Sequence, residues 1–352
     1  MKFSAVLLTA TCAFPLITSA QDHGAAAVPV PTISATSTNL QVTAEAKLAF
    51  LGGLAGRVKC DAEGNIYLRP TDSETSERYH PISALPIRKI KPDGSLASSF
   101  SVADGWPGLR AIDFFVAADG KVYQAARSET DRAVYLVSYL ANGSPRSKVR
   151  LDADFFLPYE IAVFPSGEIL VSGIYGSENR TPFTAVFNAN GRLIKEIYEP
   201  EDEDSRKRAE AGEPGFRPSS MDFGNDFVAK GDAVAGSDGN VYLLRAASPA
   251  LIFVISPKGE VLRKLRIGSP GSELSAARLK SAPGLLAISF LQKGRNTGIL
   301  EVVDYKGKEV ASYAPSDKRM YPGLLGCFSL QSFTFLSLND GDYLHLNRAE
   351  AK

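Results

Sequence analysis

The sequence predicts an all-β fold, a six-bladed β-propeller with four-stranded blades. Two short patterns and their spacing predict it. The first is a turn ending in Gly followed by an alternating apolar strand: AEGNIYL at Gly64, ADGKVYQ at Gly120, PSGEILV at Gly167, SDGNVYL at Gly239, APGLLAI at Gly284 and NDGDYLH at Gly341. The second interleaves with it: KPDGSLASSF at Gly94, ANGSPRSKV at Gly143, NANGRLIKEI at Gly191, SPKGEVLRKL at Gly259 and YKGKEVASY at Gly307. Glycines of the first pattern lie 56, 47, 72, 45 and 57 residues apart, those of the second 49, 48, 68 and 48. One insertion of roughly twenty residues explains both long intervals, and a fixed period of this size marks a repeat architecture.

Each unit is built from hairpins. Asp-Gly, Asn-Gly and Lys-Gly pairs supply the positive φ of a tight turn. The flanking runs are rich in Val, Ile, Leu, Tyr and Phe and alternate as strands do. Two hairpins per period of about 48 residues give four strands, the content of a propeller blade. Six first hairpins but only five second ones are present, and an open ring would expose strand edges. The N-terminal residues 28–48 supply the missing pair, with residues 28–35 as third strand, Asn39 at the turn and residues 40–48 as fourth. Asn tolerates positive φ next best after Gly.

The chain has 352 residues, 44% hydrophobic and 22% charged, which is ordinary globular composition. Its 39 basic and 39 acidic side chains cancel, so no net field favours nucleic acid or an anionic membrane. Residues 1–20 read as an export signal: Lys2, an apolar run over residues 5–17, then Thr18-Ser19-Ala20. The run is too short for a membrane span, so the expected location is secreted or periplasmic. The expected organisation is a signal peptide (1–20), a flexible N-terminus (21–27) and one propeller domain (28–352) with a charged loop insertion at 199–226. Cys60 and Cys327 remain after cleavage. They are read either as a disulfide, which an exported protein permits, or as two buried thiols.

The run from Pro158 to Val171, PYEIAVFPSGEILV, is similar to the repeat of NHL-type propellers, with weaker copies at residues 114–123 and 233–243. The resemblance spans the chain from about residue 28. It implies the TolB-like and gluconolactonase-like superfamily, which holds binding scaffolds, signalling modules and metal-dependent lactonases. Fold alone therefore does not choose an activity.

Aligning the units on their first Gly exposes one column. Seven residues before it stand Arg57, Asp113, Glu160, Asp232 and Thr334, with Ala277 in the fifth unit. In a propeller this column lies at the entry of the innermost strands, so these five are the expected ligand-binding residues of the channel mouth. Asp113, Glu160 and Asp232 would hold Ca²⁺ or another divalent metal through oxygen ligands. The alternative is that they cap backbone amides and pair with Arg57. Arg69, Arg127, Arg245 and Arg348, near the ends of second strands, suggest either an anion-recognising ring or solvated strand ends.

Two functions follow. The first is an exported binding protein or scaffold that recognises a small molecule, glycan or protein on the face opposite the Gly turns. The second is a divalent-metal-dependent, lactonase-like hydrolase or lyase using the acids of the mouth.

Overall fold

The computed structural model describes residues 37–51, 57–70, 85–175, 181–197, 232–245, 250–270, 274–292, 297–338 and 343–352. All belong to one compact unit, Pro31–Lys352. The expected export signal, the strand at 28–35 and the insertion at 199–226 lie outside the described residues.

The N-terminal strand β1 covers Thr38–Leu51. Four separate four-stranded antiparallel sheets follow in order. The first holds β2 (Lys59–Cys60), β3 (Ile66–Leu68), β4 (Ile87–Ile90) and β5 (Leu96–Phe100). The second holds β6 (Arg110–Val116), β7 (Val122–Ser128), β8 (Ala133–Tyr139) and β9 (Pro145–Arg150). The third holds β10 (Phe156–Val163), β11 (Ile169–Tyr175), β12 (Thr181–Phe187) and β13 (Leu193–Glu196). The fourth holds β14 (Ala233–Ala235), β15 (Val241–Arg245), β16 (Ala250–Ile255) and β17 (Val261–Ile267).

An eight-stranded sheet completes the fold. It contains β18 (Leu274–Ala282), β19 (Leu285–Gln292), β20 (Gly298–Asp304) and β21 (Glu309–Pro315), then β1, then β24 (Tyr343–Ala351), β23 (Ser332–Leu338) and β22 (Leu325–Phe328). Within it β1 runs antiparallel to β24 and parallel to the end of β21. The arrangement is all-β and propeller-like. The first strands neighbour one another in series, β2 to β6, β10, β14, β18 and β22, and β22 neighbours β2.

The turn chemistry read from sequence accounts for this. All ten repeat glycines within the described residues have φ between 75° and 104°, a region that costs other L-residues strain. Gly143 and Gly191 meet a second demand. A Cβ on Gly143 would collide with the Ser99 carbonyl oxygen, and one on Gly191 with that of Arg150. In both cases the outer turn of one sheet rests on the outer strand of the sheet before it.

Apolar clusters fill the spaces between successive sheets. Tyr67 and Phe100 pack with Phe114, Val122 and Tyr139 between the first and second. Val254 and Leu265 pack with Leu286 and Ile288 between the fourth and β18–β21. Leu48, Leu336 and Leu346 pack with Val58, Ile66 and Ile90, joining β1 and β22–β24 to the first sheet. Fully burying one such side chain contributes about 1.5–3 kcal/mol.

Two expectations are corrected. Asn39 lies inside β1 rather than at a turn, and β1 supplies a single strand beside β24. The inner hairpin of the C-terminal unit is β22–β23, not the hairpin at Gly341, which lies one connection later. The β22–β23 turn at Ser329–Ser332 contains no Gly. The Ser329 hydroxyl accepts the Ser332 amide at 3.1 Å, and the Ser329 amide bonds the Ser332 carbonyl at 2.8 Å. A glycine-based alignment misses a turn closed by a serine side chain.

Candidate functional site at the entry of the inner strands

Arg57 precedes β2, Asp113 lies in β6, Glu160 in β10, and Asp232 precedes β14. Four of the six inner strands, β6, β10, β18 and β22, share a local irregularity. Register shifts fall between Ala111 and Phe114, Pro158 and Glu160, Ala276 and Arg278, and Leu325 and Cys327. A bulge bends its strand and re-aims the neighbouring side chain, and the one at Ala111–Phe114 turns Asp113 toward the adjacent inner strand. The Ile161 amide donates to Asp113 Oδ2 at 3.1 Å, and the Leu279 amide donates to Asp232 Oδ2 at 2.8 Å. Asp113 and Asp232 thus each satisfy a backbone N–H of the next sheet.

Arg57 joins two of the acids. Its Nη1 pairs with Glu160 Oε1, and its Nε lies 3.2 Å from Asp232 Oδ1. Glu160 and Asp232 are fully buried. A buried carboxylate is stable only when paired and hydrogen-bonded, and Arg57 reaches both from one planar fork.

Two lysines, absent from the sequence-derived column, complete the arrangement. Lys59 Nζ lies 3.9 Å from Asp232 Oδ1, and Lys280 Nζ donates to the Val58 carbonyl oxygen across 222 positions of sequence. Burial works against ionised Asp232, but Arg57, Lys280, Lys59 and Arg278 outweigh it and hold the carboxyl below the usual carboxylate range. Burial pushes the Lys280 ammonium down to about 7 against the pull of Asp232, and burial lowers Lys59 as well. The signal in sequence was present: Lys59 and Lys280 sit in inner-strand stretches whose repeat positions are otherwise apolar.

Thr334 is not part of this group. It lies in β23, opposite Cys327 and Arg348, because Gly341 sets a different phase from the other glycines. The innermost strand of that unit instead carries Cys327, disulfide-bonded to Cys60 with Cα atoms 5.5 Å apart. The bond joins β22 to β2 at the seam between the C-terminal strands and the first sheet. Of the two readings of the cysteines, the structure takes the bonded one.

The arginines at second-strand ends do not form a ring. Arg69 is buried and donates to the Ile112 carbonyl at 2.9 Å. Arg127 pairs with Glu129 at 2.9 Å, and Arg348 donates to the Pro92 carbonyl at 2.8 Å. Arg69 and Arg348 tie one sheet to its neighbour.

Among the described residues no group of three or more His, Cys, Asp or Glu side chains is arranged to hold a metal ion. A cleft of about 450 Å³ lies elsewhere, lined by Glu45, Lys91, Asp93, Leu346 and Arg348 among others. No helix among the described residues is long and apolar enough to cross a membrane.

No protein-family profile matches the chain. No curated protein matches it either. Solved structures do. A luciferin-regenerating enzyme aligns with a TM-score of 0.51 at 9% identity, over 88% of this chain and 95% of the other. A Dyadobacter fermentans protein of unknown function aligns with a TM-score of 0.52 at 10% identity, over 89% and 99%. The fold is propeller-like. At such identities the likeness extends to the fold alone.

Proposed function

We propose that this chain is an exported six-bladed propeller of the NHL and TolB-like kind that acts by binding rather than by metal-assisted hydrolysis. In this reading the eight-stranded sheet is two blades bridged where β1 meets β21, and the ring closes through β1 on β24. The series of first strands that leads from β22 back to β2 supports it. Export rests on residues 1–20, and the Cys60–Cys327 disulfide fits an oxidising compartment.

The observation that carries the choice of function is the Arg57 bridge between Glu160 and Asp232. A divalent ion requires carboxylates that are free to turn their oxygens toward it. Here one oxygen of each faces a guanidinium, and a second Asp232 oxygen is taken by the Leu279 amide. In this reading the residues do not fit a metal. The ligand, a small molecule, glycan or protein, would meet the mouth on the side where Arg57 remains partly exposed.

The test is a thermal-shift screen of the purified protein with sugars, small acids and peptides, repeated on Arg57→Met. We expect a ligand that stabilises the wild type and not the variant. Lactone hydrolysis that requires added metal and disappears in Glu160→Gln would overturn the binding reading in favour of the hydrolase.

A further inference from the structure

We propose that the channel mouth binds a small oxyanion, a carboxylate or phosphate group, held by Lys59, Arg278 and Lys280 beside the Arg57 bridge. This rests on the binding reading above and names the class of ligand.

The first argument is local charge. The whole chain is neutral, but among the described residues the neighbourhood of Asp113, Glu160 and Asp232 is not. Arg57, Lys59, Arg278 and Lys280 all act electrostatically on Asp232, and Asp113 is shared between Lys59 and Arg69. Five cationic side chains therefore surround three carboxylates. Such a surplus repels a metal cation and attracts an anion.

The second argument is an unused donor. Lys59 is 6% exposed, and its ammonium makes no hydrogen bond within the described residues. Its nearest carboxylate oxygen is 3.9 Å away, outside hydrogen-bonding range. An ammonium carries three donors, and leaving one buried without an acceptor costs several kcal/mol. Arg57 is committed to the two acids, and Arg69 gives Nη1 to the Ile112 carbonyl while its Nε and Nη2 find no acceptor among the described residues. Half-buried Arg278, by contrast, makes only a 3.5 Å contact with the Ala277 carbonyl of its own strand among the described residues. Lys59 and Arg278 thus offer an ammonium and a planar guanidinium fork, the pair of groups that recognises oxyanions.

Two responses to the surplus are available, and they are separable. Lys280 sheds a proton, for which its depressed affinity prepares it, or an anion enters. Lys280 faces Asp232, Lys59, Arg278 and Arg57. Of these the three cations disfavour its charge and Asp232 favours it. A bound anion adds a second favourable partner, so binding strengthens as pH falls through 7.

The experiment measures the melting temperature of the full mature protein at constant ionic strength. Inorganic phosphate, acetate and chloride replace a bulky non-coordinating anion in separate arms. We expect phosphate or acetate to raise the wild-type Tm by about 5 °C near saturation, more at pH 6 than at pH 8, with chloride weaker. The phosphate and acetate arms identify which oxyanion is preferred. Lys59→Met should melt no lower than the wild type without added anion and should lose the response, and Lys59→Arg should restore it. Equal responses in wild type and Lys59→Met, or none in either, overturn the oxyanion site. If the anions are inert but a neutral sugar or peptide still stabilises the wild type and not Arg57→Met, the oxyanion alone is refuted. Metal-dependent hydrolysis abolished by Glu160→Gln would instead refute the binding reading beneath it.

Discussion

Breaking the Cys60–Cys327 bond should loosen the seam between β22 and β2 more than any other single cross-link change. The two cysteines are 267 positions apart. The loop-entropy relation for such a separation gives about 5.6 kcal/mol of stabilisation through the unfolded chain, of which ~2–5 kcal/mol is commonly realised. The folded seam keeps other contacts. Leu48, Leu336 and Leu346 still pack on Val58, Ile66 and Ile90, and β1 still pairs with β24. We therefore expect Cys60→Ser/Cys327→Ser to fold but to unfold at lower urea concentration, with a Tm lower by roughly 5–10 °C. The assay is paired melts of wild type and double variant, each with and without reductant, using a chain that starts at Gln21. Reductant should move the wild type to the variant's Tm and leave the variant unmoved. A wild type indifferent to reductant, with two titratable thiols before its addition, would refute the reasoning.

Other outcomes follow from the same structure. Burial raises the Glu301 carboxyl to about 7, with Ser312 donating at 2.8 Å as partial compensation. Because the folded state holds this proton more tightly than the unfolded chain, the group's contribution is full below its ordinary range and is lost as pH rises through 7. Glu301→Gln should remove a drop of about 2–3 kcal/mol between pH 5 and 9, read from urea midpoints; parallel pH profiles would contradict this. Gly143→Ala should cost more than about 2 kcal/mol, because its Cβ meets the Ser99 carbonyl. Gly239→Ala, with similar φ and open space around the site, should cost only about 1 kcal/mol of backbone strain. Equal losses would show that the outer turn does not rest on its neighbour. A chain starting at residue 52 lacks β1, exposes β24 and uncovers the Leu344–Leu346 region; we expect aggregation in size-exclusion chromatography, and a stable monomer would count against the role given to β1.

Much of the fold was legible because its chief constraint is local. A turn that needs positive φ selects Gly, so ten turns could be placed by inspection, and the strands between them declare themselves by alternation. The C-terminal unit was misphased where that constraint lapses, since the Ser329 hydroxyl closes the β22–β23 turn. Counted from Gly341, Thr334 falls in the column, and spacing alone puts Asn39 at a turn; the structure places them inside β23 and β1. Three of the acids' positions were legible because a repeat puts equivalent residues at equivalent places. Arg57 was legible in the same column, but the lysines beside Asp232 were not. Lys280 reaches Val58 from 222 positions away, and Cys60 meets Cys327 from 267. Such contacts depend on how the ends of the repeat array come together, which no local pattern encodes. Metal and Arg57 pairing both stayed open in sequence, because the column places Arg57 among the acids without showing which way its guanidinium turns.

The central claim is that Arg57, and not a metal ion, neutralises Glu160 and Asp232. The most direct measurement is the Tm of wild type and Arg57→Met with and without Ca²⁺, Mg²⁺, Mn²⁺ and Zn²⁺. We expect Arg57→Met to lose about 3–5 kcal/mol, the usual cost of stranding buried charge, and the wild-type curve to stay unmoved by all four ions. A wild-type Tm that rises with any of them, in a manner abolished by Glu160→Gln, would contradict the claim.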